Sequence, residues 1–315
     1  MKIGLVINHM EDTKTGVAPS YSEMRDIAQQ ADSAGLDSIW LFDHLLFRFE
    51  SEPTAGIWEC WTLLCALAEA TEHVELGTLV LANPFRNPAL LAKMAHTLDE
   101  ISDGRLILGL GAGWHEPEFD AFGFPFDHLF GRFQEAIQII RPLLDGETVT
   151  FSGQYYQVQE CVITPPGPRS EPGRSTRTEH GRSTRAEHGR SIPLLIGCRG
   201  PRMMRLTARY ADQWNTAWLG DVDKLTERVQ PLHAACAEAG RDPAPLAITA
   251  GIDVAFPDLG QADPYTKNPH GGTAEELAQT LHEYAAAGAA HLIVHLSPQN
   301  PAAIERLAEA ARLYR

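Results

Sequence analysis

The chain is short of the residues that mark several large classes of protein. Five cysteines occur in 315 residues: Cys60, Cys65, Cys161, Cys198 and Cys236. They are odd in number, scattered and never in a CxxC pair. That argues against a disulfide framework and for reduced thiols in the cytoplasm. The chain has no apolar run of the ~18 residues that a membrane span needs, so no membrane partner is expected. The opening MKIGLVINHM carries one lysine and a short apolar run. It is too brief for a signal peptide and reads as a first strand. Basic residues are in deficit, 26 Lys and Arg against 41 Asp and Glu, for a net charge of −15. An acidic body of this kind is a poor partner for nucleic acid. Residues 168–191 hold six arginines and three glutamates, +3, so the rest of the chain carries −18. No G-x-S-x-G elbow occurs, and the histidines at 9, 44, 73, 96, 115 and 128 never pair at i, i+4, so no metal set is expected.

What is present is an alternation. The composition, 44% hydrophobic and 21% charged, is that of an ordinary globular enzyme. Strand-like runs at 2–8, 38–42, 74–81, 105–110, 193–197, 213–217, 246–255 and 291–296 alternate with helical spacing. The helical segments are 21–34, 58–71, 88–101, 127–144, 201–211, 222–239, 273–287 and 301–314. Gly35 stops the first helix, Pro88 opens the third, and Pro142 limits the last turn of the fourth. Eight strand–helix units predict an α/β fold, a single (β/α)8 TIM barrel over residues 1–315. A doubly wound open sheet is the alternative, although nothing here marks a Rossmann first turn.

Two insertions interrupt the series. Residues 148–192 precede the fifth strand and begin with TVTFSGQYYQV, a hairpin around Ser152-Gly153. The same insertion holds a tandem octapeptide over 173–191, GRSTRTEH then GRSTRAEH then GRS. Lacking any large apolar residue, the repeat has no face to bury and is expected to be disordered. Its arginines read as a solvated surface loop or, less simply, as a basic lid over an anionic ligand. Residues 257–272, rich in Pro, Gly and Asp, read as a long loop.

Three stretches carry chemistry. Asp43 and His44 follow the apolar run Ser38–Phe42, and the carboxyl ends of strands are where barrels place reacting groups. Histidine titrates near neutral pH, and a neighbouring carboxylate can fix its tautomer. On these residues alone His44 is either an acid–base group or a strand-end histidine bonded to backbone. Leu108–Glu118, LGLGAGWHEPE, brings Gly109, Gly111 and Gly113 to the end of the fourth strand, beside Trp114. Glycines let backbone approach a flat ligand, but Glu116-Pro117 break the G-x-G-x-x-G pattern. Gly197-Cys198-Arg199-Gly200-Pro201-Arg202 leaves the fifth strand and opens a helix with proline. Helix amides with two arginines suit an anion, although no GK[ST] follows.

Taken in order, SIWLFDHLL (38–46), ELGTLVLANPFRNPALLAKMAHTLDEISDGRLILGLGAGWHEPEFDAFGFPF (75–126), RFQEAIQIIRPLL (132–144), GPRMMRLTARYADQWN (200–215) and AAGAAHLIVHL (286–296) resemble the luciferase-like flavin monooxygenase superfamily. The likeness is greatest to its branch dependent on the deazaflavin coenzyme F420. The resemblance implies a (β/α)8 barrel with an insertion before the fifth strand. It implies an oxidoreductase or monooxygenase using F420, first choice, or FMN, on a small organic substrate. It places Asp43 and His44 at the ring, His44 as proton donor or acceptor, and a non-prolyl cis peptide at Thr78-Leu79. Ala112, Gly113 and Trp114 would pass the ring or ribityl chain, and Gly197, Cys198, Arg199 and Gly200 would hold the phosphate. A homodimer is the family habit. Trp114 stands where some deazaflavin dehydrogenases carry glutamate, which counts against sugar-phosphate dehydrogenase chemistry. Pro117 replaces a polar cofactor contact, and Cys198 stands where glycine is commoner and reads as a packed thiol. The rival readings are a non-catalytic flavin-binding barrel and a flavin-free barrel enzyme holding a sugar phosphate.

Overall fold

The computed structural model describes residues 1–12, 14–50, 52–170, 191–261, 263, 266 and 268–315. The octapeptide repeat, Ser191 apart, and the basic-lid reading attached to it lie outside the described residues.

The fold is the expected α/β barrel. Among the described residues, eight parallel strands close into one sheet. In chain order they are β1 (Lys2–Val6), β2 (Ser38–Leu41), β3 (Glu75–Thr78), β4 (Leu106–Gly111), β5 (Leu194–Gly197), β6 (Gln213–Thr216), β7 (Ala247–Ala255) and β8 (His291–Ser297). The helices that follow them are α1 (Tyr21–Ser33), α2 (Cys60–Ala70), α3 (Pro88–Ile101), α4 (Leu129–Leu144), α5 (Pro201–Tyr210), α6 (Asp223–Glu238), α7 (Ala274–Ala286) and α8 (Pro301–Tyr314). The strands read as continuous apolar runs because both faces are covered; every residue of β2 and β4 is buried. Among the described residues no helix is long and apolar enough to cross a membrane.

The chain divides into two compact units. The first comprises Met1–Asn8, Pro19–Leu41 and Ile196–Arg315. Within it β1 pairs in parallel with β2 and β8, β8 with β7, and β7 with β6. Gly4 of β1 faces Ser38 and Trp40; a Cβ there would stand 2.2 Å from Ser38 Oγ. The space is filled by a buried polar relay. Trp40 Nε1 donates to Ser38 Oγ at 2.7 Å, and Ser38 Oγ lies 2.7 Å from His291 Nε2. The Ser38 hydroxyl and His291 Nε2 share one hydrogen bond, whose direction is set by the His291 tautomer. Burial, then the charges of Lys2 and the N-terminus, push the His291 pKa down to about 3. Capping boxes open α1 (Ser20 with Glu23) and α7 (Thr273 with Glu276).

The second unit comprises His9–Ala18 and Phe42–Leu195. Here β4 pairs in parallel with β3 and with Leu81–Ala82. Thr78 Oγ1 donates to Gly109 O and accepts from Gly109 N, each at 2.9 Å. A Cβ on Gly109 would fall 1.9 Å from Thr78 O, so this strand contact requires glycine. Arg105 is buried at the start of β4 and donates to the carbonyls of Ala68, Thr71, Val74 and Ser102. The predicted hairpin is Val149–Ser152 with Gln157–Cys161, and Glu135 of α4 accepts the amides of Gln154, Tyr155 and Tyr156 at its tip. Pro142 lies in the last turn of α4, which runs to Leu144 as expected. A short helix, Glu116–Phe122, and a small ribbon, Leu46–Phe47 with Ala55–Gly56, carry no strong period and were not expected.

Candidate active site

The second unit assembles a polar cluster just past β2. Asp43, 2% exposed, accepts three hydrogen bonds. Ala82 N donates to Oδ2 at 2.8 Å, and Arg86 grips both oxygens, at 2.8 and 3.0 Å. Arg86 also donates to Glu59 at 2.6 Å. Glu59 in turn caps α2 through the amides of Trp61 and Thr62. Burial works against the Arg86 charge, but Asp43 and then Glu59 outweigh it and hold the guanidinium more firmly protonated than a free arginine. Burial likewise pulls Glu59 upward, and the Thr62 and Trp61 amides reverse it, leaving its pKa lowered. Cys60, beneath this cluster, is pushed well above the usual thiol range by burial and by Asp43. Asp43 is therefore held in place as a strut.

The carboxylate that serves His44 comes from elsewhere. Glu118, 1% exposed on the helix Glu116–Phe122, accepts from His44 Nδ1 at 2.8 Å and from Leu45 N at 2.7 Å. Placing the proton on Nδ1 leaves His44 Nε2 as the nitrogen able to take or give one. The expectation that the adjacent Asp43 serves His44 is thus corrected, because successive side chains leave a strand end in different directions. His115 stands beside the pair, 6.4 Å from His44 ring to ring. Its Nε2 accepts from Arg48 N at 3.0 Å, and burial lowers its pKa, so it is a neutral imidazole.

The other ring-facing candidates lie in this unit. Ala112 and Gly113 are partly exposed after β4, and Gly113 takes φ +87° against the Phe119 ring, which excludes a side chain. Trp114 is 60% exposed, its ring 5.5 Å from that of His44. Thr78 and Leu79 are buried. A non-prolyl cis bond joins Leu79 and Val80, one bond later than expected at Thr78-Leu79, and another joins Ala217 and Trp218 in the first unit. Asn83, 1% exposed, donates to Tyr156 OH at 3.3 Å while its buried Oδ1 has no partner.

The first unit carries the remaining candidates. Gly197 ends β5, Cys198 packs against Thr207 Oγ1 at 3.3 Å, and burial raises its thiol pKa, which fits a packed thiol. Arg199 and Gly200 are exposed, and α5 opens at Pro201 with no side chain capping its amides. Arg228 joins them electrostatically. Its guanidinium donates to Thr216 Oγ1 and Ala217 O, and burial and then the charge of Arg199 lower its pKa. This unit also holds a second imidazole–carboxylate pair, His295 Nδ1 to Asp253 at 2.9 Å, with Trp218 beside it. His291 and His295 stand four apart, but on a strand and with separate partners, Ser38 and Asp253.

The profile of the family described as luciferase-like monooxygenase matches residues 1–262. The chain belongs to the luciferase-like monooxygenase family.

Within that family the chain is 38% identical over 148 residues to an F420-dependent glucose-6-phosphate dehydrogenase of Amycolatopsis mediterranei, covering 45% of this chain and 43% of that one. A second such dehydrogenase, from Microbacterium testaceum, is 32% identical over 228 residues, 70% of this chain and 60% of that one. The chain therefore spans about half the length of these curated relatives, 43% and 60%. Among solved structures, an F420-dependent secondary alcohol dehydrogenase superposes with TM-score 0.75 at 19% identity, over 100% of this chain and 99% of that one. A monooxygenase from Streptomyces bottropensis gives 0.77 at 19% identity, covering 100% of both. These likenesses show the luciferase-like barrel fold.

Sequence reasoning missed Glu118, Arg86, Asn83, Arg228 and the Asp253–His295 pair. The Glu118 signal was weak but present: an acid two residues into a helix whose first residues are Glu116-Pro117, after a glycine turn. Nothing in the order of residues ties it to His44, 74 positions earlier.

Proposed function

We propose that this luciferase-like chain is an oxidoreductase using coenzyme F420, or else FMN, on a small organic substrate. His44 acts as its proton donor or acceptor. The observation that carries this is the buried Glu118 bonded to His44 Nδ1, which leaves Nε2 as the working nitrogen. A strand-end histidine that only holds backbone has no need of a carboxylate buried for it.

The residues present fit a ring cofactor. Asn83 Oδ1 is a buried acceptor without a partner, which a ring N–H would satisfy. Gly113 lets the backbone turn after β4 close against the Phe119 ring, where no side chain would fit. Asp43, Thr78, Leu79, Ala112, Gly113 and Trp114 would hold the ring and its chain, Thr78 through its backbone because its hydroxyl is spent on Gly109. Gly197, Cys198, Arg199 and Gly200 would hold the phosphate, with Arg228 adding charge. When bound, the cofactor supplies hydride transfer as F420, or oxygen activation as FMN. The chain's own part is to orient the ring, to keep Asp43 fixed through Arg86, and to move a proton at His44 Nε2. The F420-dependent relatives favour F420.

His44→Ala tests the assigned role. It is expected to keep cofactor binding and to lose about 10²–10⁴-fold in kcat, the usual worth of a positioned acid–base group. Turnover at the parental rate with cofactor bound would remove His44 from the mechanism.

A further inference from the structure

The rings around His44 form a circuit. His44 lies 4.4 Å from Phe47; Phe47 stacks on Phe49 at 6.1 Å and 14°. Phe49 lies 5.0 Å from His115, His115 lies 5.0 Å from Trp114, and Trp114 meets His44 edge-on at 5.5 Å. Two of these rings are left bare, Trp114 at 60% and Phe49 at 39% exposure. Large apolar faces exposed beside a reacting group are a binding surface more often than a packing remnant.

The carboxylate beside His44 is already engaged within the chain. Glu118 is occupied by His44 Nδ1 and Leu45 N. His115 is neutral and accepts from Arg48 N. Arg48 is exposed and directs its Nε to Thr54 at 3.3 Å. What the rings themselves offer is aromatic faces, the Trp114 indole N–H and His44 Nε2. We infer that it binds a planar, uncharged organic ring bearing a hydroxyl or carbonyl oxygen. The ring lies against Trp114 and Phe49, and the oxygen meets His44. This substrate class rests on the reading of His44 given above, and it excludes a phosphorylated sugar as the ligand of this face.

The test uses the full chain labelled with 5-fluorotryptophan and no cofactor. The Trp114 fluorine resonance, one of six tryptophans, is assigned with Trp114→Phe. Benzyl alcohol is expected to move that resonance saturably, and glucose 6-phosphate to leave it in place. Phe49→Ala should weaken benzyl alcohol about fivefold, and Phe49→Leu, which keeps apolar bulk without the ring, by a similar factor. The inference is overturned if benzyl alcohol gives no saturable shift or if both Phe49 variants bind it as the parent does. It is equally overturned if glucose 6-phosphate produces the shift and Arg48→Ala abolishes it. Failure of the oxidoreductase reading shows separately, as absence of F420 and FMN binding.

Discussion

Asp43 and His44 are neighbours in the chain with different employers. Asp43 is clamped by Arg86 and the Ala82 amide, and Arg86 also reaches Glu59. A buried ion pair of this kind contributes little over an apolar substitute, but breaking it strands a charge. Arg86→Met leaves Asp43, whose side chain is fully buried in the pair, without its cation. The expected loss is about 3–5 kcal/mol of stability, read by urea denaturation. A variant as stable as the parent would mean that the Arg86–Asp43 pair does not hold this part of the fold together. His44 depends instead on Glu118, and the two positions need different substitutions to disturb them.

At the scale of elements, the strands and helices were legible because covered parallel strands read as apolar runs and helices as 3.6-residue periods. Helices α3 and α8 coincide with the expected spans, and the hairpin sits where Ser152-Gly153 placed it. The helix Glu116–Phe122 escaped because seven residues with an early proline give no period, and the partner of His44 went with it. Contacts between distant residues, such as Arg86 with Asp43 or Glu135 with the hairpin tip, leave no local pattern at all. Glu135 holds three consecutive amides, at 2.7, 2.8 and 3.1 Å. Glu135→Ala is expected to speed exchange at Gln154, Tyr155 and Tyr156 by about tenfold or more, since bonds to a charged group are worth ~1.5–3 kcal/mol. Unchanged exchange at those amides would show that the tip is held by the ladder alone.

At the scale of the whole molecule, burial disfavours the charged form of four histidines among the described residues. The pKa of His291 falls to about 3 from 6.5, and those of His96, His115 and His270 are also lowered. In each case the unfolded chain binds the proton more readily than the native one between the two values. Stability is therefore fully present above the unfolded pKa, about 6.5, and is lost as pH falls below it. His291 alone contributes a slope of about 1.4 kcal/mol per pH unit in that window. Urea denaturation at neutral pH and one unit below 6.5 should show a drop of at least that order; a flat profile would contradict the buried neutral relay of Trp40, Ser38 and His291. The net charge of −15 belongs to the same scale and favours solvation of the folded body.

The central claim, a ring cofactor seated where His44 can exchange a proton, is tested most directly by equilibrium titration of the purified chain with F420 and with FMN, followed by visible absorption. Saturable binding of one cofactor per chain, weakened by Asn83→Ala with its orphaned buried acceptor removed, is the predicted result. Binding of neither cofactor would contradict the account.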